Sequence, residues 1–433
     1  MKKKITALAM TAMVLLGGCA QMQPTPEPKP AGKPSAAEAG DAEEKPSAPE
    51  ETADIPSMTL PESVSVLNRT IFSALVRKNP DENLFYSPFS LSSALSAAMS
   101  GAKGETALQM GKVLGITDIE AFLDSYKAYC DSMPEDGAKL TTANALMLDQ
   151  SYVRENGPVK EDFTKKLQDK MQAEIRELDF RNDLPSAKKE ISDWVEKNTE
   201  GMIADYNSSA DETTVLDLIN AIYFFGEWQE KFTAEDTWNQ TFHGKQKDVE
   251  VPMMHNHGLY LNYAEKADFR ALELPYLESG IAMDLILPKE ETGDADWEAV
   301  FAEENDILSA LDESEKVKVE ALALPKFEED QSLTGLRDIL VQAGMKDAFA
   351  SDRADFTGIA PRLYISDVAH RAKIEVDEEG SRAAAVTEVM MALGAAAPEE
   401  DPLIFICDRP FLYVIREVRT NTVLFTGLMN QMQ

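Results

Sequence analysis

Apolar positions fall three or four residues apart over residues 62–77 and again over 88–100, so each stretch predicts a helix with one buried stripe. The second opens on Ser87-Pro88-Phe89-Ser90, where Ser87 suits the cap and Pro88 the first helical position. Gly104-Glu105-Thr106 opens a further helix, and residues 186–198 form another around Trp194. Beyond residue 213 the period changes. Thr214 to Phe225 reads as a strand, as do 271–274, 281–287, 317–324, 372–376, 403–407, 411–416 and 422–428. Helices dominate the first half and strands the second, which predicts an α+β fold rather than alternating βαβ units.

One segment follows a period of two with few exceptions. After Glu378-Glu379-Gly380, the residues Ser381, Ala383, Ala385, Thr387, Val389 and Met391 form an uncharged face. Arg382 and Glu388 fall on the other face, with Ala384, Val386 and Met390 between them. That is a strand with one buried side and one wet side. Its buried side is mostly small, so it can slide between two existing strands without a steric penalty. The run from Ala392 to Pro402 then reads as an open loop. Ala, Glu, Met and Leu also form helices readily, so a surface helix over 382–393 is the competing prediction.

The N-terminus is a targeting segment rather than fold. Residues 1–18 hold Lys2-Lys3-Lys4, an apolar stretch from Ile5 to Leu16, and Gly17-Gly18 ahead of Cys19. This is similar to the cleavage box of bacterial lipoproteins, which implies cleavage before Cys19 and acylation of that residue; an ordinary secretory signal is the alternative. Residues 19–60 are rich in Pro, Ala, Glu and Lys and hold too few large apolar side chains to bury a core. As a coil, residues 20–58 span roughly 35 Å, and as extended polyproline about 120 Å. The expectation is an extracytoplasmic protein, anchored by lipid on Cys19 to a bacterial membrane, at the outer membrane or cell surface. The folded body is expected over 61–433, with no second linker, repeat or transmembrane stretch.

The formal charge of −34, from 76 acids against 42 bases, argues against nucleic acid and polyanionic cofactors as partners. Cys130 and Cys407 lie far apart in no metal-ligand spacing and read as buried thiols, with a disulfide as the alternative. Of the four histidines, His255 and His257 lie two apart, but no carboxylate or Cys partner suggests a metal, and both read as surface residues. No nucleophile elbow or phosphate loop is present. The chain is therefore not expected to be an enzyme, and no cofactor or metal is expected.

Several motifs resemble one family in order. Asn83-Leu84-Phe85-Tyr86-Ser87-Pro88-Phe89-Ser90 is followed by Gly101-Ala102-Lys103-Gly104-Glu105-Thr106. Then come Asn220-Ala221-Ile222-Tyr223-Phe224-Phe225-Gly226-Glu227-Trp228, Val251-Pro252-Met253-Met254, Leu324-Pro325-Lys326-Phe327, Ala354-Asp355-Phe356-Thr357-Gly358 and Arg409-Pro410-Phe411-Leu412. Residues 62–433 resemble a serpin along their whole length, although Phe225 stands where the family usually has Lys. The resemblance implies helices with three β-sheets, an exposed reactive loop, and a metastable, monomeric fold. A target protease cuts the loop, forms an acyl-enzyme, and is trapped as the cut loop inserts into the main sheet.

By the same resemblance, Glu378, Gly380, Ser381, Ala383, Ala385 and Thr387 form the hinge, with Gly380 as a flexible pivot. Ser87, Ser90, Asn220 and His370 match the shutter where the central strands part; His370 as a merely satisfied core residue is the alternative. Trp228, Lys326 and Glu378 match the breach, where the loop first enters, and a Lys326–Glu378 ion pair is expected there. The scissile bond falls among Met390, Met391, Ala392, Leu393, Gly394, Ala395, Ala396 and Ala397, with Leu393 or a neighbouring Ala preferred. No Lys or Arg occurs between Ala383 and Asp408. Trypsin-like targets need a basic residue for their acidic pocket, so elastase-, subtilisin- or chymotrypsin-like serine proteases, or papain-like cysteine proteases, are expected instead. The alternative is a non-inhibitory serpin acting as a ligand carrier or folding helper, for which Arg382 and the long loop leave room.

Overall fold

The folded chain begins slightly before residue 61. In the computed structural model, which describes residues 58–133, 138–289, 295–302, 306–381 and 402–433, the Met58 N–H donates to Gly115 O at 3.2 Å. Helix α1 (Leu60–Lys78) opens with the Glu62 carboxylate accepting from the Thr59 N–H at 2.7 Å. Leu60 is buried in the core, so the boundary drawn after residue 60 lies a few residues too late. Strand β1 (Leu84–Tyr86) leads into α2 (Pro88–Met99), where the Ser87 hydroxyl accepts from the Ser90 N–H at 3.0 Å.

The rest of the first half comprises α3 (Gly104–Leu114), α4 (Ile119–Asp131), β2 (Ala138–Asp149), α5 (Gln150–Asn156), α6 (Glu161–Met171), β3 (Glu174–Leu178) and α7 (Leu184–Asn198). Strands then take over: β4 (Leu216–Glu227), β5 (Thr237–His243), β6 (Asp248–Glu265), β7 (Phe269–Pro275) and β8 (Ile281–Pro288). After α8 (Ile307–Asp312) come β9 (Lys316–Pro325), β10 (Phe327–Leu333), α9 (Leu336–Ala343), β11 (Asp367–Val376) and β12 (Gly380–Ser381). The chain closes with β13 (Leu403–Ile406), β14 (Phe411–Glu417) and β15 (Thr422–Met429).

A six-stranded sheet runs in the order β10-β11-β12-β4-β2-β3, and a nine-stranded one in the order β1-β15-β14-β8-β7-β6-β9-β13, with β5 on β6. The long strand β6 makes the second sheet so large. Its residues Met253 to Asn262 pair with β9 and its residues Tyr263 to Glu265 with β7. Two of the three sheets implied by the resemblance are thus joined through one strand.

The wholly buried α2 touches β4 and β2 of the six-stranded sheet and β15 of the other. On β11 the even residues from Val368 to Val376 are buried, and on β4 Leu216, Leu218, Ile222 and Phe224 join the main core. The opposite face has its own apolar cluster, in which Ile219 and Ala221 of β4 and Ala145 and Met147 of β2 pack beneath Ile191, Trp194 and Val195 of α7.

Candidate functional site

Strands β11 and β4 are parallel neighbours for only part of their length. They pair from Asp367 opposite Asp217 to Arg371 opposite Ala221, and above that row they part. The two residues of β12 sit in the upper end of the gap, antiparallel to both strands. Ser381 stands opposite Val376 on one side and Gly226 on the other, and Gly380 opposite Glu227. Between these rows, Ala372 to Glu375 of β11 and Ile222 to Phe225 of β4 face one another with no intervening ladder among the described residues.

A tight turn reverses the chain from β11 into β12. The Asp377 carboxylate accepts from the N–H groups of Glu379 (2.9 Å) and Gly380 (3.3 Å), as Asp commonly does at the start of a turn. Asp377 N–H donates to Gly380 O at 3.0 Å. Trp228 holds the turn from below, its Nε1–H donating to Asp377 O and its backbone N–H to Glu379 O, both at 2.9 Å. The indole is buried and stacks on Tyr276 at 4.7 Å, and the Tyr276 hydroxyl meets the Ser381 hydroxyl at 2.6 Å. Gly380 lies so close to β4 that an added Cβ would stand 2.1 Å from Gly226 O. Expected as a flexible pivot, Gly380 is a strand residue at a close backbone approach, and only glycine fits.

Charged groups tie the same turn down. Lys326 Nζ lies 2.6 Å from Glu378 Oε2, and the Thr237 hydroxyl donates to Glu378 Oε1 at 2.9 Å. Burial pushes the Glu378 carboxyl up, but these bonds outweigh it and hold the group below the ordinary glutamate value. Lys231 bridges Glu379 (2.8 Å) and Glu227 (2.9 Å).

Lower on the seam, the four residues singled out on α2, β4 and β11 meet in one buried cluster. Asn144 of β2, Asn220 of β4 and His370 of β11 occupy one row across the sheet. The Ser87 N–H donates to His370 Nε2 at 3.0 Å, which leaves the proton on Nδ1, facing the Ser90 hydroxyl at 3.5 Å. Ser90 Oγ donates to Asn220 Oδ1, and Ser87 Oγ to Leu424 O at 2.6 Å. The Asn220 amide nitrogen donates to Ser93 Oγ (3.1 Å) and Asn144 Oδ1 (2.7 Å). Burial holds the His370 imidazole neutral, its pKa down to about 3. Ser93 was missed although it continues the Ser87, Ser90 spacing. Asn144 was missed because β2 starts in small and polar residues with little apolar signal.

The profile of the family described as Serpin (serine protease inhibitor) matches residues 63–432. The chain belongs to the serpin family. This serpin is 36% identical to an uncharacterized serpin-like protein of Thermococcus kodakarensis, over 99% of this chain and 98% of the other. It is 35% identical to the leukocyte elastase inhibitor of Sus scrofa, over 83% of this chain and 96% of the other. Among solved structures it is similar to human thyroxine-binding globulin complexed with thyroxine, with a TM-score of 0.76 and 26% identity over 86% of this chain and 99% of that one.

Other expectations resolve differently. The residues Ala383, Ala385 and Thr387, the scissile candidates 390–397, the tether up to residue 57 and Cys19 lie outside the described residues. His255, expected at the surface, is only 8% exposed. It stacks on Trp238 at 3.6 Å, and its ring nitrogens lie 3.2 Å from Asp236 O and Gln240 Oε1. Strand β5 runs beside β6 and lays Trp238 over this ring, which the spacing of two histidines could not reveal. Cys407 is buried and Cys130 partly so, and both are free thiols. Among the described residues no helix is long and apolar enough to cross a membrane.

Proposed function

We propose that this serpin inhibits endopeptidases by offering them the loop that follows Ser381 and inserting the cut strand between β11 and β4. The observation that carries the reading is β12. Two residues already sit in the gap, in register with both neighbours, and the gap continues below them.

Continuing that register downwards puts Ala383 between Ile374 and Phe224, Ala385 between Ala372 and Ile222, and Thr387 between His370 and Asn220. These neighbours are the inward-facing residues of their strands, so the uncharged face of the segment meets the core. Small side chains pass over Phe224 and Ile222 without displacing them. Thr387 brings a hydroxyl to the polar row on the inner face of the seam, where Asn220 and His370 must exchange partners as the strands separate. On the outer face Arg382 falls beside Glu375. About ten new rows at ~0.5–1.5 kcal/mol per hydrogen bond supply on the order of 10 kcal/mol, comparable with the whole stability of a target domain at ~5–15 kcal/mol. Glu378, Lys326 and Trp228 then act as the gate at the top, and Ser87, Ser90, Asn220 and His370 as the latch lower down.

Likeness to a leukocyte elastase inhibitor and the apolar run from Met390 to Ala397 support elastase-, subtilisin- or chymotrypsin-like targets, cut at Leu393 or a neighbouring Ala. Cys19 is proposed to carry the lipid that anchors the serpin outside a bacterial cytoplasm, with residues 19–57 as its tether. A second reading, a carrier without inhibitory action, draws on the similarity to thyroxine-binding globulin and on Arg382. Incubation with elastase, subtilisin and papain, followed by denaturing gels, separates the two. A covalent high-mass band with a released C-terminal peptide starting between residues 391 and 398 is expected. Clean cleavage without adduct by every protease would refute inhibition.

A further inference from the structure

The outer face of the seam carries a buried acid that the insertion cycle leaves without a role. Asp217 lies on β4 directly opposite Asp367 on β11, in the lowest row where the two strands pair. It is 3% exposed, and Ser208 Oγ donates to its Oδ2 at 3.1 Å. Asp367 accepts from Ser209 Oγ at 3.3 Å and from the Val368 N–H at 2.9 Å. Ser208 and Ser209 belong to a strap that follows α7 and buries Ile203, Tyr206 and Ala210 against this face. Arg371 of β11 donates to Ala204 O (3.5 Å) and Asp205 O (3.4 Å). One strap is therefore pinned to both strands that must separate.

Like charges directly opposite one another on neighbouring strands repel, and a buried carboxylate without a cation resists ionisation. The groups facing Asp217 do little to relieve it. Asp367 is an acid, Met147 opposite on β2 is apolar, and the strap contributes Ser208 and Tyr206. Lys188 of α7 acts on it only through space, and Arg371 is committed to Asp330 by bonds of 2.8 and 2.7 Å.

We propose that Asp217, Asp367 and the Ser208–Ser209 strap form a proton-operated clasp, in which protonation of the buried acid locks β4 to β11 and its loss at neutral pH frees the strands to part. Burial pushes the Asp217 carboxyl up to about 6 in the closed sheet. Once the strands part and water reaches it, it should ionise near the ordinary value of ~4. Between those values the closed sheet binds more protons than the open one. Opening is therefore disfavoured in acid, eases as pH rises towards 6, and levels off above. His370, neutral while buried, would act in the opposite sense if opening wets it, so the clasp is read as a ratio to a variant that keeps His370.

The purpose of the clasp rests on the insertion reading, but the opening of the seam can be measured without a protease. A labelled synthetic peptide matching residues 381–391 is incubated with the full chain at pH 5, 6 and 7 and constant ionic strength, and incorporation is followed on native gels. The ratio of the wild-type rate to that of Asp217→Asn should rise about tenfold between pH 5 and 7. Ser208→Ala removes a donor that favours the carboxylate, so it should move the midpoint to higher pH; this variant decides the matter if Asp217→Asn does not fold. A ratio independent of pH, an unmoved midpoint in Ser208→Ala, or no incorporation at any pH overturns the clasp. A pH-dependent ratio without covalent protease complexes upholds the clasp and refutes the trap alone.

Discussion

Replacing Gly380 by alanine tests whether the seated β12 guides insertion. The new Cβ would stand 2.1 Å from Gly226 O and 2.8 Å from Glu227 Cα, more than about 1 Å inside ordinary contact. Both obstacles are backbone, so β12 has to move. In doing so it gives up the bond from the Trp228 N–H to Glu379 O (2.9 Å), that from the Asp377 N–H to Gly380 O (3.0 Å), and the Ser381–Tyr276 hydroxyl pair (2.6 Å). At ~0.5–1.5 kcal/mol each, with some groups left buried and unpaired, the cost is about 2–4 kcal/mol. That reduces the seated population roughly 30- to 700-fold. The intact protein can release two residues and stay folded, whereas an inserted strand must carry the clash in its top row. The variant should therefore need more inhibitor per protease inactivated, and the gap between the melting points of its nicked and intact forms should shrink. Active-site titration of elastase and thermal melts of both forms measure this. Unchanged stoichiometry together with an unchanged gap would show that the strand does not enter beside Gly226.

Three further outcomes follow from particular contacts. Asn220→Ala removes a partner from Ser90, Ser93 and Asn144 inside the core, so it should cost about 2–4 kcal/mol in chemical denaturation and promote self-association on warming, visible on native gels. Tyr276→Phe keeps the stack on Trp228 but orphans the Ser381 hydroxyl, and should raise amide exchange at Gly380 and Ser381 several-fold with little change in global stability. Because the Glu378 carboxyl is held below its ordinary value, its stabilisation is present above that value and is lost as pH falls through the folded one. Glu378→Gln should therefore lower stability by about 1 kcal/mol at pH 7, given the partial exposure of Lys326, and the difference should vanish once acid protonates the wild-type carboxyl.

Much of this serpin was legible from local pattern. The strand expected over 281–287 is β8 (Ile281–Pro288), and that over 422–428 is β15 (Thr422–Met429), because apolar runs bounded by turn residues need no distant information. Ser87 caps α2 as its spacing with Pro88 and Ser90 predicts. The parity of the segment after Gly380 also agrees with the structure at its one described member, since Ser381 is buried against Tyr276. The Lys326–Glu378 pair came through resemblance, since no local rule joins residues so far apart.

What local pattern determined by itself was therefore where the strongly periodic helices and strands lie, and which face of those strands is apolar, since a period of 3.6 or 2 is written into neighbouring positions. Tertiary structure alone decided that β11 stops pairing with β4 above Arg371, that Gly380 must be glycine because Gly226 lies against it, and that Asp217 is buried opposite Asp367. Each depends on strands far apart in the chain, β4 near its middle and β11 and β12 well beyond it. Their separation is set by how two sheets and α2 pack together, and no short stretch of chain records that distance.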